Sequence, residues 1–286
     1  MSQLDPNILA RIVGDAIEED VGAGDITANS VVDKNRRARA EIVVEEDCVV
    51  AGVPVARAVY EAIDEDLDFQ EEVEDGNKVK EGAVVARVHG SARSILSGER
   101  TALNFIQKLS GIATVAAQFV EKTKRFGTKV MDTRKTTPGL RYLEKYAVRV
   151  GGASNHRMGL YDMFLIKDNH LRAIAADKVR AIPTAVQRAR KFNPNVLVEV
   201  EVESLEELSQ ALRVQPDMIL LDNMSVEEIS EAVKMAKGEV VLEASGGVSL
   251  ENLEEIASTG VDCISVGALT MAARGIRMKM ELTEWV

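Results

Sequence analysis

Three short runs concentrate the side chains able to grip an anion: DTRKTTPG at 132–139, GGASNHR at 151–157 and LIKDNH at 165–170. The first and last begin where strands are predicted to end. That places Arg134, Lys135, Arg157 and Lys167 around one mouth, with His156 and His170, two of the chain's three histidines, nearby. Arginine forks hold carboxylates or phosphates in pairs, and lysines add point charge. So many cations in one place repel one another unless a multiply anionic ligand neutralises them; the plainer alternative is a structural salt-bridge network. Between Lys124 and Arg172 there are eleven Lys and Arg against four Asp and Glu, a local charge of +7 in a chain whose net charge is −11. A basic middle in an acidic protein suits a small polyanion, although a solvated helix face explains it too.

Further along stand Glu201 and Asp222, on what read as neighbouring strand ends. Two carboxylates beside a phosphate cradle suggest a Mg²⁺ site that holds a diphosphate, with water completing the octahedron. Paired acids also do general acid/base work. Gly-rich turns at Ser245-Gly246-Gly247 and Gly267-Ala268 sit where α/β barrels bind phosphate. Together these groups point to a phosphorylated, anionic substrate.

The elements that must position these residues show a period. Residues 196–202 (VLVEVEV) alternate strictly, with valines on one face and Leu197, Glu199 and Glu201 on the other. A capping box, Ser204 to Glu207, then opens a helix, and a second box, Ser225 to Glu228, follows the strand at 218–222. Glu201, Asp222, Glu243 and Ser265 are separated by 21, 21 and 22 residues, which predicts one strand end per βα repeat. With strands at 128–132 and 163–167 this makes six strands alternating with helices, hence a parallel sheet. Carboxylates on one face favour a barrel over a doubly wound sheet.

The first half reads as a separate α+β module. Strands are expected at 36–50, 68–73 and 84–88, and helices at 7–19 and 53–63. Residues 75–82 (DGNKVKEG) are turn-like, as in lipoyl and biotinyl carriers, but lack a displayed lysine in the right setting. A long helix at 97–125, ending at Gly127, links the halves.

Composition removes whole classes. With 286 residues, 46% hydrophobic and 28% charged, the chain is globular rather than disordered. No run reaches the ~18 apolar residues of a membrane span, because Pro54 and Arg57 interrupt the best candidate at 48–60. The acidic, amphipathic start is unlike a signal peptide. Cys48 and Cys263 form no disulfide framework or metal spacing, and global acidity argues against nucleic acid. A cytoplasmic enzyme is expected.

The motifs EDVGAGDIT (19–27), ERTALNF (99–105), SGIAT (110–114), 132–146, 151–159, 165–170, VEVEVE (198–203), LDN (221–223), LEASGG (242–247) and SVGALT (265–270) span nearly the whole chain. In them the sequence resembles the quinolinate phosphoribosyltransferases. The resemblance implies an α/β sandwich at 1–112, with 275–286 packing against it, and an incomplete, seven-stranded α/β barrel of the type II phosphoribosyltransferase kind at 113–274. It implies transfer of phosphoribose from phosphoribosyl pyrophosphate to quinolinate, with loss of CO₂, in NAD biosynthesis. It also implies at least a homodimer with shared active sites. By the same resemblance, Thr133, Arg134, His156, Arg157 and Lys167 would hold quinolinate, with Arg100 contributed by a second subunit. Lys135, Glu201, Asp222, Ser245, Gly246, Gly247, Val266, Gly267 and Ala268 would hold the donor. Glu201 and Asp222 would hold Mg²⁺, directly or through water, and Lys135, Lys167, Glu201 and Asp222 would be catalytic. One departure is visible: Met271-Ala272 stands where the family commonly has His-Ser. The rivals are a related phosphoribosyltransferase of different base specificity, a molybdenum-transport-associated paralogue, and a Schiff-base aldolase acting through Lys167.

Overall fold

A computed structural model describes residues 4–285; Met1–Gln3 and Val286, the tips of the expected N- and C-terminal segments, lie outside the described residues. Twelve strands are found in chain order among the described residues: β1 (Arg37–Val44), β2 (Cys48–Val49), β3 (Asp68–Glu71), β4 (Lys78–Val79), β5 (Val84–Ser91), β6 (Lys129–Met131), β7 (Phe164–Ile166), β8 (Val198–Val202), β9 (Met218–Asp222), β10 (Val241–Ser245), β11 (Cys263–Ser265) and β12 (Met278–Trp285). They fall into two compact units. One holds the described residues up to Ala117, Thr137–Gly152 and the chain from Ala272 onward; the other holds Gln118–Thr136 and Ala153–Met271. This division differs from the expected one chiefly in Thr137–Gly152, which joins the first unit.

In the first unit, an antiparallel sheet runs β12-β1-β5-β3. Strand β1 alternates as a half-buried strand should, with Ala38, Ala40 and Ile42 inside and Arg37 and Arg39 exposed. The helix Val53–Ile63 falls where its sequence placed it, with Pro54 in its first turn and Val55, Val59 and Tyr60 buried. Its free N–H groups are met by Asp75, which accepts from Gly52 at 2.7 Å and Val53 at 3.0 Å. Tyr146 donates to the same carboxylate at 2.7 Å. The turn beginning at Asp75 is therefore a helix cap, and the carrier-like reading of 75–82 is set aside.

The long helix begins earlier than expected, spanning Ala92–Thr123. Ser97, read as its start, lies inside it, because its hydroxyl donates to the Arg93 carbonyl at 2.9 Å instead of capping. Another unforeseen helix, Arg141–Val150, places Arg141, Lys145 and Arg149 in the first unit. The basic middle of the sequence is thus divided between the units.

In the second unit, six parallel strands run β6-β11-β10-β9-β8-β7. Beyond β6, Ser154 makes a parallel bridge to Met131, so a seventh stave exists as one bridge rather than a full strand. This is the incomplete α/β barrel. Helices Lys178–Phe192, Leu205–Val214, Val226–Ala236 and Leu253–Ser258 connect its strands. Both expected N-caps form: Ser204 accepts from Glu207 and Ser225 from Glu228, each at 3.2 Å. In β8 every residue is buried, valines and glutamates alike.

Register corrects one expectation. Asp222 pairs with Ser245, whereas Glu243 pairs with Leu220. Glu243 is therefore not the last residue of its strand but stands opposite the same Leu220 as Glu201, and it still lines the cavity below Ser245. It lies two residues deeper, on the same face because side chains repeat every two residues.

The last strand is held by charge as well as by the β1 ladder. Arg274 donates to Glu46 Oε1 at 2.8 Å and also to Oε2, and the Arg277 N–H donates to Oε1 at 2.8 Å. The Arg274 hydrogen bond, then that N–H, hold the Glu46 carboxyl down at about 2. A depressed carboxyl stabilises the fold above its unfolded pKa and stops doing so as pH falls through its folded one. Glu46→Gln should therefore destabilise the protein at pH 7 by no more than about 1 kcal/mol, since the arginines are exposed. In urea titrations the difference from wild type should shrink as pH falls from about 4.5 to about 2.

Candidate active site

The C-terminal ends of the barrel strands surround a cavity of about 590 Å³. Thr133, Arg134 and Lys135 follow β6, His156 and Arg157 follow the Ser154 bridge, and Lys167 follows β7. Glu201 closes on them from β8, and Asp222 and Ser245-Gly246-Gly247 from β9 and β10. An adjoining hollow of about 200 Å³ shares Thr133, Lys135 and the Ser245–Gly247 turn, and adds Gly267, Ala268 and Met271.

Most of the anticipated residues of this unit meet here, and two, Val266 and His170, do not. Val266 is buried and its N–H donates to the Met131 carbonyl at 2.9 Å, so it continues the ladder and offers a ligand nothing. His170 is exposed and accepts from the Lys167 N–H at 2.9 Å, capping the short helix Asp168–Arg172. Arg100 is exposed on the long helix of the first unit.

The cations are held with little internal compensation. Arg157 donates one N–H to the Met163 carbonyl at 3.2 Å. Burial, and then the positive charge of Arg134, push Arg157 below the ordinary arginine value. Nε of Arg134 is buried without a hydrogen-bond partner. Two guanidinium groups that repel each other in a half-buried wall favour any dianion placed between them. Lys167, in contrast, is ion-paired with Glu201.

Beneath the cations lies a layer in which the sequence reading gave a role to His156 alone. Asp132, fully buried, accepts from the His156 N–H at 2.8 Å and from Asn155 Nδ2 at 2.6 Å, tying the 153–157 loop to β6. His156 Nε2 is 2.9 Å from Glu199 and 3.4 Å from Glu243, both fully buried. Burial opposes charge on the ring, but the two carboxylates outweigh it and raise His156 to about 9. Glu199 is pushed above the usual carboxylate range by burial first and by Glu243 among its other neighbours. His156 Nδ1 accepts the Arg157 N–H at 2.7 Å. Only a ring unprotonated at Nδ1 can accept there, so this contact opposes the upward pull of the two carboxylates, and Nε2–H then points to Glu199. Both ring nitrogens are thus engaged within the wall, where His156 lines the cavity beside Arg157. The one advance signal was the alternation in VEVEVE, which puts Glu199 on the face of Glu201.

For a metal, Glu201 and Asp222 are hard oxygen donors lining the cavity beside the glycine turn. Asp222 accepts from Asn223 Nδ2 at 2.8 Å and keeps its remaining lone pairs for other partners. Mg²⁺ commonly takes one or two carboxylates, several waters and substrate phosphate oxygens, so this donor set fits it.

The phosphate-sized hollow depends on glycine. Gly246 has φ +98°, and a Cβ there would lie 2.2 Å from Asn223 Oδ1 and 2.9 Å from the Asn223 backbone nitrogen. A Cβ on Gly267 would meet Lys135 Cδ at 2.9 Å, so Lys135 lies across that turn. Gly246→Ala should distort the turn and weaken inorganic pyrophosphate binding by about tenfold or more in calorimetric titration, with a strain of about 1–3 kcal/mol.

Comparison with known proteins agrees with this geometry. Residues 25–110 match the family described as quinolinate phosphoribosyl transferase, N-terminal domain, and residues 112–281 match its C-terminal domain. The chain is 39% identical to a probable carboxylating nicotinate-nucleotide pyrophosphorylase of Bacillus subtilis, over 96% of this chain and 93% of that protein. It is 42% identical to the carboxylating nicotinate-nucleotide pyrophosphorylase of Mycobacterium leprae, over 93% of this chain and 94% of that one. The nicotinate-nucleotide pyrophosphorylase structure from Francisella tularensis superposes with a TM-score of 0.93 at 40% identity, covering 98% of both chains. Fold, site and sequence together place this chain in the quinolinate phosphoribosyltransferase family.

Proposed function

We propose that the protein transfers phosphoribose from phosphoribosyl pyrophosphate to quinolinate and releases pyrophosphate and CO₂, forming nicotinate mononucleotide for NAD synthesis. The observation that carries this reading is the pairing of Arg134 and Arg157 in one cavity wall, beside a glycine-lined hollow crossed by Lys135. A pyridine with two adjacent carboxylates supplies the two negative charges those guanidiniums lack. Lys167 adds a third cation for the same ligand, and Thr133 stands at the edge of both hollows.

The chemistry follows from that placement. The ring nitrogen attacks C1 of the ribose as the bond to the diphosphate breaks, and the sugar passes through a cationic, oxocarbenium-like state. Lys135 stabilises the departing negative charge, while Glu201 and Asp222 orient the ribose hydroxyls and favour positive charge on the sugar. Ser245, Gly246, Gly247, Gly267 and Ala268 cradle the donor's phosphates. Glu201 and Asp222 would also hold Mg²⁺, which supplies further positive charge to the leaving diphosphate. Once ribosylated, the ring nitrogen is positive and draws in the electron pair left at C2 as CO₂ departs. A proton then replaces the lost carboxylate.

The protein is expected to act in the cytoplasm. Among the described residues, no helix is long and apolar enough to cross a membrane. A homodimer in which Arg100 of each chain completes the partner's site remains part of the proposal.

Quinolinate and phosphoribosyl pyrophosphate should give nicotinate mononucleotide and CO₂ in a Mg²⁺-dependent assay. Faster turnover of nicotinate than of quinolinate would refute the reading. Arg134→Ala should weaken quinolinate binding by about 2–3 kcal/mol, on the order of 50-fold in Kd. Unchanged calorimetric affinity would remove Arg134 from the acid site.

A further inference from the structure

The ion pair between Lys167 and Glu201 joins residues that the proposed reaction needs for different substrates. It bridges the ends of neighbouring parallel strands, Lys167 just past β7 and Glu201 near the end of β8. Lys167 is 44% exposed and has water to fall back on, whereas Glu201 is only 7% exposed. A nearly buried carboxylate that loses its cation is left with an uncompensated charge, and that cost is high.

With quinolinate bound, Lys167 turns to a substrate carboxylate and cannot serve Glu201 to the same degree. Glu201 then needs a new partner, and the groups beside it are those of the donor: ribose hydroxyls and the cation that accompanies the diphosphate. In the other direction, a donor that engages Glu201 releases Lys167 for the acid. We infer that the Lys167–Glu201 pair is a coupling element, exchanged for substrate contacts on both sides, so that acid and donor each raise the affinity for the other. This rests on the assignment of the two substrates proposed above. Linkage requires the two enhancements to be equal, which makes the inference quantitative.

The test uses the full-length protein, calorimetry and a pair of ligands that cannot react. Phthalate carries the same two adjacent carboxylates as quinolinate but has no ring nitrogen to attack the sugar. In wild type with Mg²⁺ throughout, saturating phosphoribosyl pyrophosphate should tighten phthalate about 5- to 20-fold, and phthalate should tighten the donor by the same factor. In Glu201→Gln, phthalate alone should bind about 3- to 10-fold tighter than to wild type, and the coupling factor should fall to near one. Glu203→Gln removes a charge of the same sign from just past the end of β8, where it pairs with Lys178 outside the cavity lining, so coupling should persist.

Equal phthalate affinities with and without donor in wild type would overturn the inference, and this measurement needs no variant to fold. So would loss of coupling in Glu203→Gln, or no gain for phthalate alone in Glu201→Gln. Both ligands binding without coupling would leave the proposed substrates intact and remove only the exchange. Failure of wild type to bind quinolinate, phthalate and the donor would overturn the substrate assignment and the coupling with it.

Discussion

Two guanidinium groups facing one half-buried cavity repel each other, and the mouth of the barrel is arranged around that repulsion. Arg157 carries its charge against both burial and Arg134. Side chains in that state stay folded only when the scaffold fixes them, and the scaffold here is short and stiff. Asp132 pins the 153–157 loop to the end of β6, and His156 accepts the Arg157 N–H, so the arginine backbone cannot drift outward. The energy the site spends on keeping two cations apart from counter-ions is recovered when a dianion arrives. That difference between empty and filled states is what makes such a site selective.

The buried acids below the arginines belong to the same arrangement. Glu199 and Glu243 lie on the inner face of the barrel against His156, and Glu243, like His156, lines the cavity. They hold the His156 ring in place from behind the arginines. Glu201, one alternation further along β8, reaches the cavity itself. Two glutamates on one strand face thus divide into a supporting role and a ligand-facing role by depth alone.

Much of this was readable from residue order. The Ser225–Glu228 capping box, the helix at Val53–Ile63 and the clustering of Arg134, Lys135, Arg157 and Lys167 followed from local chemistry and strand-end logic. What escaped reading depended on register and on contacts between distant residues. The period from Glu201 to Glu243 looked like one strand end per repeat, yet Ser245 is the residue opposite Asp222. A regular spacing in sequence does not set the stagger between parallel strands. The pairing of Val266 with Met131 and the tie from Asp132 to His156 each join segments far apart in the chain, so no local pattern announces them. Charge counting misled in a related way: Arg141, Lys145 and Arg149 enlarge the basic stretch but reside on a helix of the first unit.

Met271, with Ala272, is where the sequence reading expected a departure from the family pattern. It lies largely exposed at the edge of the phosphate-sized hollow, whose side-chain cation is Lys135. On the proposed reading the turn's glycines and Lys135 carry the anion recognition there, and Arg134 and Arg157 of the acid-binding wall do not line that hollow.

The most direct test of the central claim is the affinity of the wild-type protein for a diacid against a monoacid of the same ring. Calorimetric titration should show quinolinate binding at least about 30-fold tighter than nicotinate, because the second carboxylate relieves the repulsion between Arg134 and Arg157. Equal affinities, or tighter nicotinate binding, would contradict the account.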